Sequence, residues 1–366
     1  LTTVVLYGAT GITGALTARR LASHKIQFAI AGRSEKKLAR LRDQLAAGGV
    51  TPEVRVADMT DRYALEQAFA GSRVVVSAAG PFVHSGEHVL GAAIDAGAHY
   101  LDTSGEQAFM RLAYGKYDER ARSRGVCAVP GYAFEIALGD FAAEEAAVRL
   151  RNGEDRAALL DEVVVAYDME HFATSQGTRL SALEQLGRPG HYWQDGDLVA
   201  ARPADEQRRF EFPEPFGPRA ALSFPSSECL SVPRHVAVRR VQTYLVVSRI
   251  NAAIIHAGRR LIAPIMHSPI QRFAARVARA GSGPTAAHRN SNRFCVLAEA
   301  RRDGKSARVS VTGRDIYGLT SAILVDGVEQ MLTSGFCRAG TLAPAQAFGA
   351  RPALERLSRE AGLEVR

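Results

Sequence analysis

Three glycines at three-residue intervals, Gly8-Ala9-Thr10-Gly11-Ile12-Thr13-Gly14, stand between the apolar run Val4-Val5-Leu6-Tyr7 and a stretch of helical periodicity. Strand, glycine turn and helix in that order bring free backbone N–H groups and the positive end of a helix to one point, which suits a pyrophosphate. The spacing is G-x-x-G-x-x-G rather than G-x-G-x-x-G, a looser first turn common among NADP enzymes. Within it, Gly8, Thr10, Gly11, Ile12 and Gly14 are the expected cofactor contacts.

The next hundred residues repeat the alternation of short β-rich runs with helical patterns, the mark of a parallel sheet with crossover helices. Strands are expected at Val4-Tyr7, Phe28-Ala31, Glu53-Val56, Val74-Ala78, Tyr100-Asp102 and Val126-Val129, with helices near 11–23, 35–47, 61–70 and 86–96. In such doubly wound sheets ligands bind outside the carboxyl ends of the strands, so the residues just after each strand matter most. After the second strand stands Arg33, where an NAD enzyme would carry an acid for the ribose 2′-hydroxyl. A guanidinium instead pairs with a 2′-phosphate, so NADP is the expected cofactor, with Ser34 and Lys37 assisting. Asp58 follows the third strand, as an acceptor for the adenine amino group or as a helix cap. Ala79-Gly80-Pro81-Phe82 follow the fourth, small residues beside the ribose with Pro81 and Phe82 bordering the nicotinamide.

A chain of 366 residues exceeds what one core usually serves, and two domains are expected. The alternation stops near residue 135; a helix from Ile136 to Leu150 leads to a strand at Glu162-Tyr167. Alternating runs at Arg293-Ala300 and Ser306-Gly313, joined through Asp303-Gly304, read as an antiparallel hairpin. The expected fold class is α/β, a Rossmann doubly wound parallel sheet plus a second α+β domain with an antiparallel sheet. The Pro- and Gly-rich stretch from Gly187 to Pro233 reads as long loops.

Apolar residues make up 46% and charged residues 23%, and no run has the ~18 uncharged apolar residues of a membrane span. The first residues show no secretion signal, so a soluble, cytoplasmic protein is expected. Cys127, Cys229, Cys295 and Cys337 lie far apart, favouring reduced thiols. The net charge of +8 is concentrated: Val232 to Arg302 holds 13 arginines and one acid, Glu299. No nucleic-acid module accompanies them, so no nucleic-acid partner is expected, and a phosphorylated ligand or acidic partner is more economical. The basic, helix-compatible stretch Ile250 to Arg279 leaves peripheral membrane contact open, and a homodimer is separately left open. His84 and His88 lack a third ligand, so no metal is expected. Nucleophile-elbow, Walker and His-Glu-x-x-His patterns are absent from the sequence, removing the commonest hydrolase and kinase readings.

The glycine loop with Ala31-Gly32-Arg33, the Gly80-Pro81-Phe82 turn, Tyr100-Leu101-Asp102-Thr103-Ser104-Gly105-Glu106, Ser175-Gln176-Gly177-Thr178 with Ser181, and Gly313-Arg314-Asp315-Ile316-Tyr317-Gly318-Leu319-Thr320 together resemble the saccharopine dehydrogenase-like oxidoreductases, in particular the bacterial branch with the trans-acting enoyl reductases. The resemblance implies a Rossmann domain over 1–135 to which residues 340–366 return, and a substrate domain over 136–339. The family's loop after Pro130-Gly131 usually reads Phe-Asp-Ser-x-Pro-Ser-Asp, whereas here it is Tyr132-Ala133-Phe134-Glu135-Ile136-Ala137-Leu138-Gly139-Asp140, largely apolar beside the expected active site. Hydride transfer needs a donor where negative charge develops, and Tyr132 is the first candidate, with Asp102, Glu106 and Tyr317 as alternates. The expected activity is NADPH-dependent reduction of a C=C, C=N or C=O group in a small or carrier-tethered anionic intermediate. Redox-neutral isomerisation or cyclisation, or a non-catalytic NADP-binding role, are the alternatives.

Overall fold

A computed structural model describes residues 3–153, 157–186, 190–247, 276–278 and 283–366. The chain divides into two compact units: residues 1–104, 108–134 and 317–342 form the first, and 105–107, 135–316 and 343–366 the second.

The first unit is a seven-stranded sheet whose paired strands all run parallel. Its strands are β1 (Val4–Tyr7), β2 (Phe28–Gly32), β3 (Glu53–Val56), β4 (Val74–Ser77), β5 (His99–Asp102), β6 (Cys127–Val129) and β15 (Gly340–Thr341), in the order β15-β6-β5-β4-β1-β2-β3. Val4 is in register with both Phe28 and Val74, so β1 is central and the order reverses direction between β1 and β4. The runs VVLY and VVVS are buried throughout, as strands covered by helices on both faces must be. Helices α1 (Ile12–Ser23), α2 (Glu35–Ala46), α3 (Arg62–Phe69) and α4 (Phe82–Asp95) each turn a leucine-, alanine- or valine-bearing stripe to that sheet.

The second unit is a mixed sheet in the order β10-β11-β12-β7-β13-β14-β16, with β8 paired to β12 and β9. Its strands are β7 (Leu160–Glu170), β8 (Gly190–Gln194), β9 (Asp197–Ala201), β10 (Gln207–Glu211), β11 (Pro218–Ser223), β12 (Val238–Val246), β13 (Arg293–Arg302), β14 (Lys305–Arg314) and β16 (Glu364–Val365). One pair, β12 with β7, is parallel, and the others are antiparallel. The β13–β14 hairpin turns on Asp303 and Gly304 at φ 50° and 74°, the left-handed pair that matches strand twist.

Two expectations need correcting. The stretch expected to be loops, 187–233, contains four short strands, β8 to β11, of which β10 and β11 contribute to a core with Phe210, Phe212, Phe216 and Tyr244. And the segment that returns to the first unit is 317–342, not 340–366. Gly340-Thr341 extends the parallel sheet beside β6, while Glu364-Val365 pairs with β14 in the second unit. The basic stretch 250–279 lies outside the described residues except for 276–278.

Candidate cofactor site

The glycine loop is shaped by close backbone packing. Gly8 adopts φ +77°, and a Cβ there would stand 2.8 Å from Ala78 C and Ala79 N, at the end of β4. A Cβ at Gly14 would collide with the Gly8 carbonyl oxygen and lie 2.8 Å from Ala9 Cα. Gly8 N–H donates to Ala31 O at 2.9 Å, tying the loop to β2. Thr10 and Gly11 remain exposed and Ile12 half-buried, and no side chain caps the first turn of α1. The N–H groups there are left for a ligand.

At the end of β2 the side chains are cationic and uncommitted. The side chains of Arg33 and Lys37 are exposed and make no hydrogen bond or ion pair among the described residues, though Arg33 bears electrostatically on Asp58. Ser34 occupies the N-cap position of α2, but its hydroxyl makes no capping bond. Asp58 is not a helix cap: its Oδ1 accepts from Thr60 N–H (3.0 Å) and Thr60 Oγ1 (2.8 Å), and Asp61 caps α3 instead. Those Thr60 bonds, with a smaller contribution from Arg33, hold the Asp58 carboxyl below its ordinary range. Burial, reinforced by Asp58, pushes the neighbouring Tyr7 phenol up to about 12.

At the end of β4, Ala79 and Pro81 are half-buried and Gly80 is exposed, as a surface bordering a ligand would be. Phe82 departs from expectation. It is 3% exposed and stacks on Phe109 at 5.8 Å, so its ring belongs to the core rather than to a nicotinamide face.

The glycine cradle and the free Arg33, Ser34 and Lys37 fit a dinucleotide bearing a 2′-phosphate, and comparison with known proteins agrees. The family model described as "Saccharopine dehydrogenase NADP binding domain" matches residues 4–129. A lipid droplet localized protein of Caenorhabditis elegans is 39% identical over 134 residues, 34% of this chain and 32% of that protein. A trans-acting enoyl reductase of Mycobacterium ulcerans is 33% identical over 139 residues, 37% of this chain and 33% of that protein. The matched region thus spans about a third of these relatives' length. Saccharopine dehydrogenase (L-Glu forming) of Saccharomyces cerevisiae shares the fold over the whole chain, with TM-score 0.62, 14% identity and 99% of that chain covered.

On the NADP-binding domain the donors expected from sequence are largely committed. Tyr132 is fully buried, its ring beside Gly327 and Leu101 and its hydroxyl donating to Asp326 at 3.3 Å. That corrects its place as first candidate, because a phenol enclosed in the core cannot meet a substrate. Tyr317 is 7% exposed at the start of helix Ile316–Leu332. Asp102 is also fully buried, and its Oδ1 accepts from Ser104 N–H and Gly131 N–H at 2.8 Å each, clasping the loops after β5 and β6. Glu106 lies in the second unit, 1% exposed, and accepts from Ser181 Oγ at 2.7 Å.

Sequence reasoning missed the second unit's own polar groups. Gln107 holds residues 105–107 there: its amide donates to His191 O (2.9 Å) and Ser226 O (2.7 Å) and accepts from His191 N–H (2.9 Å). Glu228, buried to about 7 in pKa, hydrogen-bonds Tyr167, whose hydroxyl also reaches Glu135 O at 2.6 Å. A phenol has one proton, so both contacts are satisfied when Glu228 is the protonated donor. The signal for this pair is weak in the sequence, because Glu228 lies in the stretch that reads as loop. The arginine-rich segment also differs from expectation. Arg239, Arg240, Arg289, Arg293, Arg301 and Arg302 pair with Asp195, Glu206, Asp315, Glu170, Glu299 and Asp303, which takes them out of the argument for an anionic substrate. Among the described residues no helix is long and apolar enough to cross a membrane.

Proposed function

We propose that this chain is an NADPH-dependent reductase that transfers hydride to a polarised double bond, C=C of the enoyl type, C=N or C=O, in a biosynthetic intermediate. The observation that carries the reading is the corner formed by Arg33, Ser34 and Lys37, three polar side chains free of partners among the described residues beside a glycine cradle shaped for a pyrophosphate. Arg33 and Lys37 bind the 2′-phosphate, with Ser34 donating to it. The loop N–H groups hold the pyrophosphate, Ala79-Gly80-Pro81 border the ribose, and Asp58 Oδ2 is left to accept from the adenine. When bound, the cofactor supplies the hydride; the protein supplies orientation and the place where a proton is held. The enoyl alternative, and with it a carrier-tethered substrate, draws support from the partial match to a trans-acting enoyl reductase.

The test uses NADPH deuterated at nicotinamide C4 with three probes: a crotonyl thioester, a cyclic imine and an aldehyde. Deuterium in the reduced thioester, read by mass spectrometry, is the expected result, and label in the imine or aldehyde product would reassign the bond. Intact NADPH with all three would remove the reductase reading.

A further inference from the structure

Asp102, Tyr100, Ser77 and Ser104 form a buried polar group inside the NADP-binding unit. Register sets three of them on one face of the sheet: Ser77 at the end of β4 pairs with Asp102 at the end of β5, and Tyr100 is two residues back along β5. All four are at most 1% exposed. Asp102 Oδ1 is occupied by the two backbone N–H donors from the loops after β5 and β6. Its other oxygen, Oδ2, has no aligned hydrogen-bond partner among the described residues, and neither have the hydroxyls of Ser77, Tyr100 and Ser104. The Tyr100 and Ser104 hydroxyls nevertheless stand within reach of the carboxyl, and Ser77 within reach of Tyr100.

This group holds a carboxylic acid better than a carboxylate. A buried carboxylate loses hydration that the nearby hydroxyls replace only in part, whereas a protonated Oδ2 becomes a donor facing hydroxyls that can each accept. Burial accordingly pushes Asp102 up to about 6, against the two backbone N–H bonds and the hydroxyls of Ser104 and Tyr100, which pull it down. The groups that bear on it are Tyr100 on its own strand, Ser77 on β4, and Ser104 and Gly131 on the two loops.

We propose that Asp102 is a redox-linked proton holder whose carboxyl, in mildly acidic solution, keeps its proton more fully while the domain carries NADPH than while it carries NADP+. The inference rests on the reductase reading above. A dinucleotide with its 2′-phosphate held at the end of β2 would cross the β1–β4 switch point toward the carboxyl ends of β4 and β5. Reduction of a double bond takes a hydride, with its two electrons, from C4 of NADPH, and one proton. The oxidised cofactor would carry a positive charge that the reduced one lacks, and such a charge near Asp102 would favour its carboxylate. The Asp102 proton is then given up, through the neighbouring hydroxyls, as the substrate comes to need it. Substrate, NADPH and the Asp102 acid become reduced substrate, NADP+ and the Asp102 carboxylate, and a proton from water restores the acid when fresh NADPH binds. Asp102 is thus a positioning and proton-holding residue, not one that touches substrate.

Two measurements test this without a substrate. Bound NADPH is displaced by NADP+ in lightly buffered solution near pH 6 with an indicator dye. A fall of about one pKa unit, typical for a nearby opposite charge, releases about half a proton per site from the wild type and none from Asp102→Asn. The cofactor's own phosphate contributes equally to both. In parallel, carbon-13 carboxyl resonances of labelled aspartates are titrated in the two complexes. The resonance that vanishes in Asp102→Asn should have its midpoint about one unit lower with NADP+ than with NADPH. If Asp102→Asn does not fold, Ser104→Ala, which moves the same midpoint, assigns it. Equal proton release by wild type and Asp102→Asn, or one midpoint in both complexes, overturns the proposal. Failure to bind either nucleotide is a separate outcome, which overturns the NADP reading and this inference with it.

Discussion

Replacing Asp102 by Asn should stabilise the NADP-binding unit at neutral pH, against the usual direction of substitutions at buried polar sites. Burial raises the carboxyl from 3.8 to about 6 in the folded protein. A raised acid favours folding fully below its unfolded value, and that contribution is lost as pH rises through the folded value. About two units at ~1.36 kcal/mol each put the loss at roughly 3 kcal/mol between pH 4 and 7, an upper figure for a fully buried group. Asn keeps the Oδ1 acceptor for Ser104 N–H and Gly131 N–H, offers an amide donor to the neighbouring hydroxyls and carries no charge. Amide exchange of peptides spanning β5 and β6 reads the unit directly, since the single tryptophan, Trp193, is in the other one. Near pH 4 the variant and wild type should exchange alike; near pH 7 the variant should be more protected, by a margin approaching ~3 kcal/mol. Equal or weaker protection of Asp102→Asn at both pH values would refute the reasoning, because it would mean that the buried carboxylate costs the fold nothing.

Tyr132→Phe should leave NADPH affinity and turnover unchanged and lower stability by about 1 kcal/mol, the worth of one buried hydrogen bond, measured by urea denaturation alongside NADPH titration. A large loss of turnover with normal stability would return Tyr132 to the donor role. In the second unit, burial disfavours the charged form of His235, but the Asp140 carboxylate at 2.9 Å and nearby Glu144 outweigh it and raise its pKa, against Arg234. A raised histidine stabilises below its unfolded value of 6.5, and the benefit is lost as pH rises through the higher folded value. Chemical denaturation followed by Trp193 fluorescence should therefore show this unit weakening from about pH 6.5 upward, with His235→Gln flattening that slope; an equal slope in the variant would discount the pair.

The N-terminal third was legible because its signals are local. Strand, glycine turn and helix follow one another within twenty residues, and runs such as VVLY and VVVS can only be strands covered on both faces. The cofactor corner could be read for the same reason, since Arg33, Ser34 and Lys37 directly follow β2. What sequence reading missed depends on pairing at long range. β15 is two residues long and exists because β6 offers it an edge; β16 likewise needs β14. Strands β8 to β11 are short and interrupted by turns, yet Asp195-Gly196, at φ 50° and 97°, was a legible hairpin signal between β8 and β9. Burial was the other blind spot. Phe82 and Tyr132 occupy the right places in the chain but face inward, and the direction of a side chain at the end of a strand is set by packing from elements far away in sequence.

The central claim is that the domain selects NADPH through the 2′-phosphate. Calorimetric affinities for NADPH and NADH, in wild type and in Arg33→Ala, test it most directly. Loss of a charge-assisted phosphate contact is worth roughly 1.5–3 kcal/mol, so the variant should bind NADPH about ten- to a hundredfold more weakly while its NADH affinity changes little. Equal affinity of the wild type for the two nucleotides, unchanged by the substitution, would contradict the account.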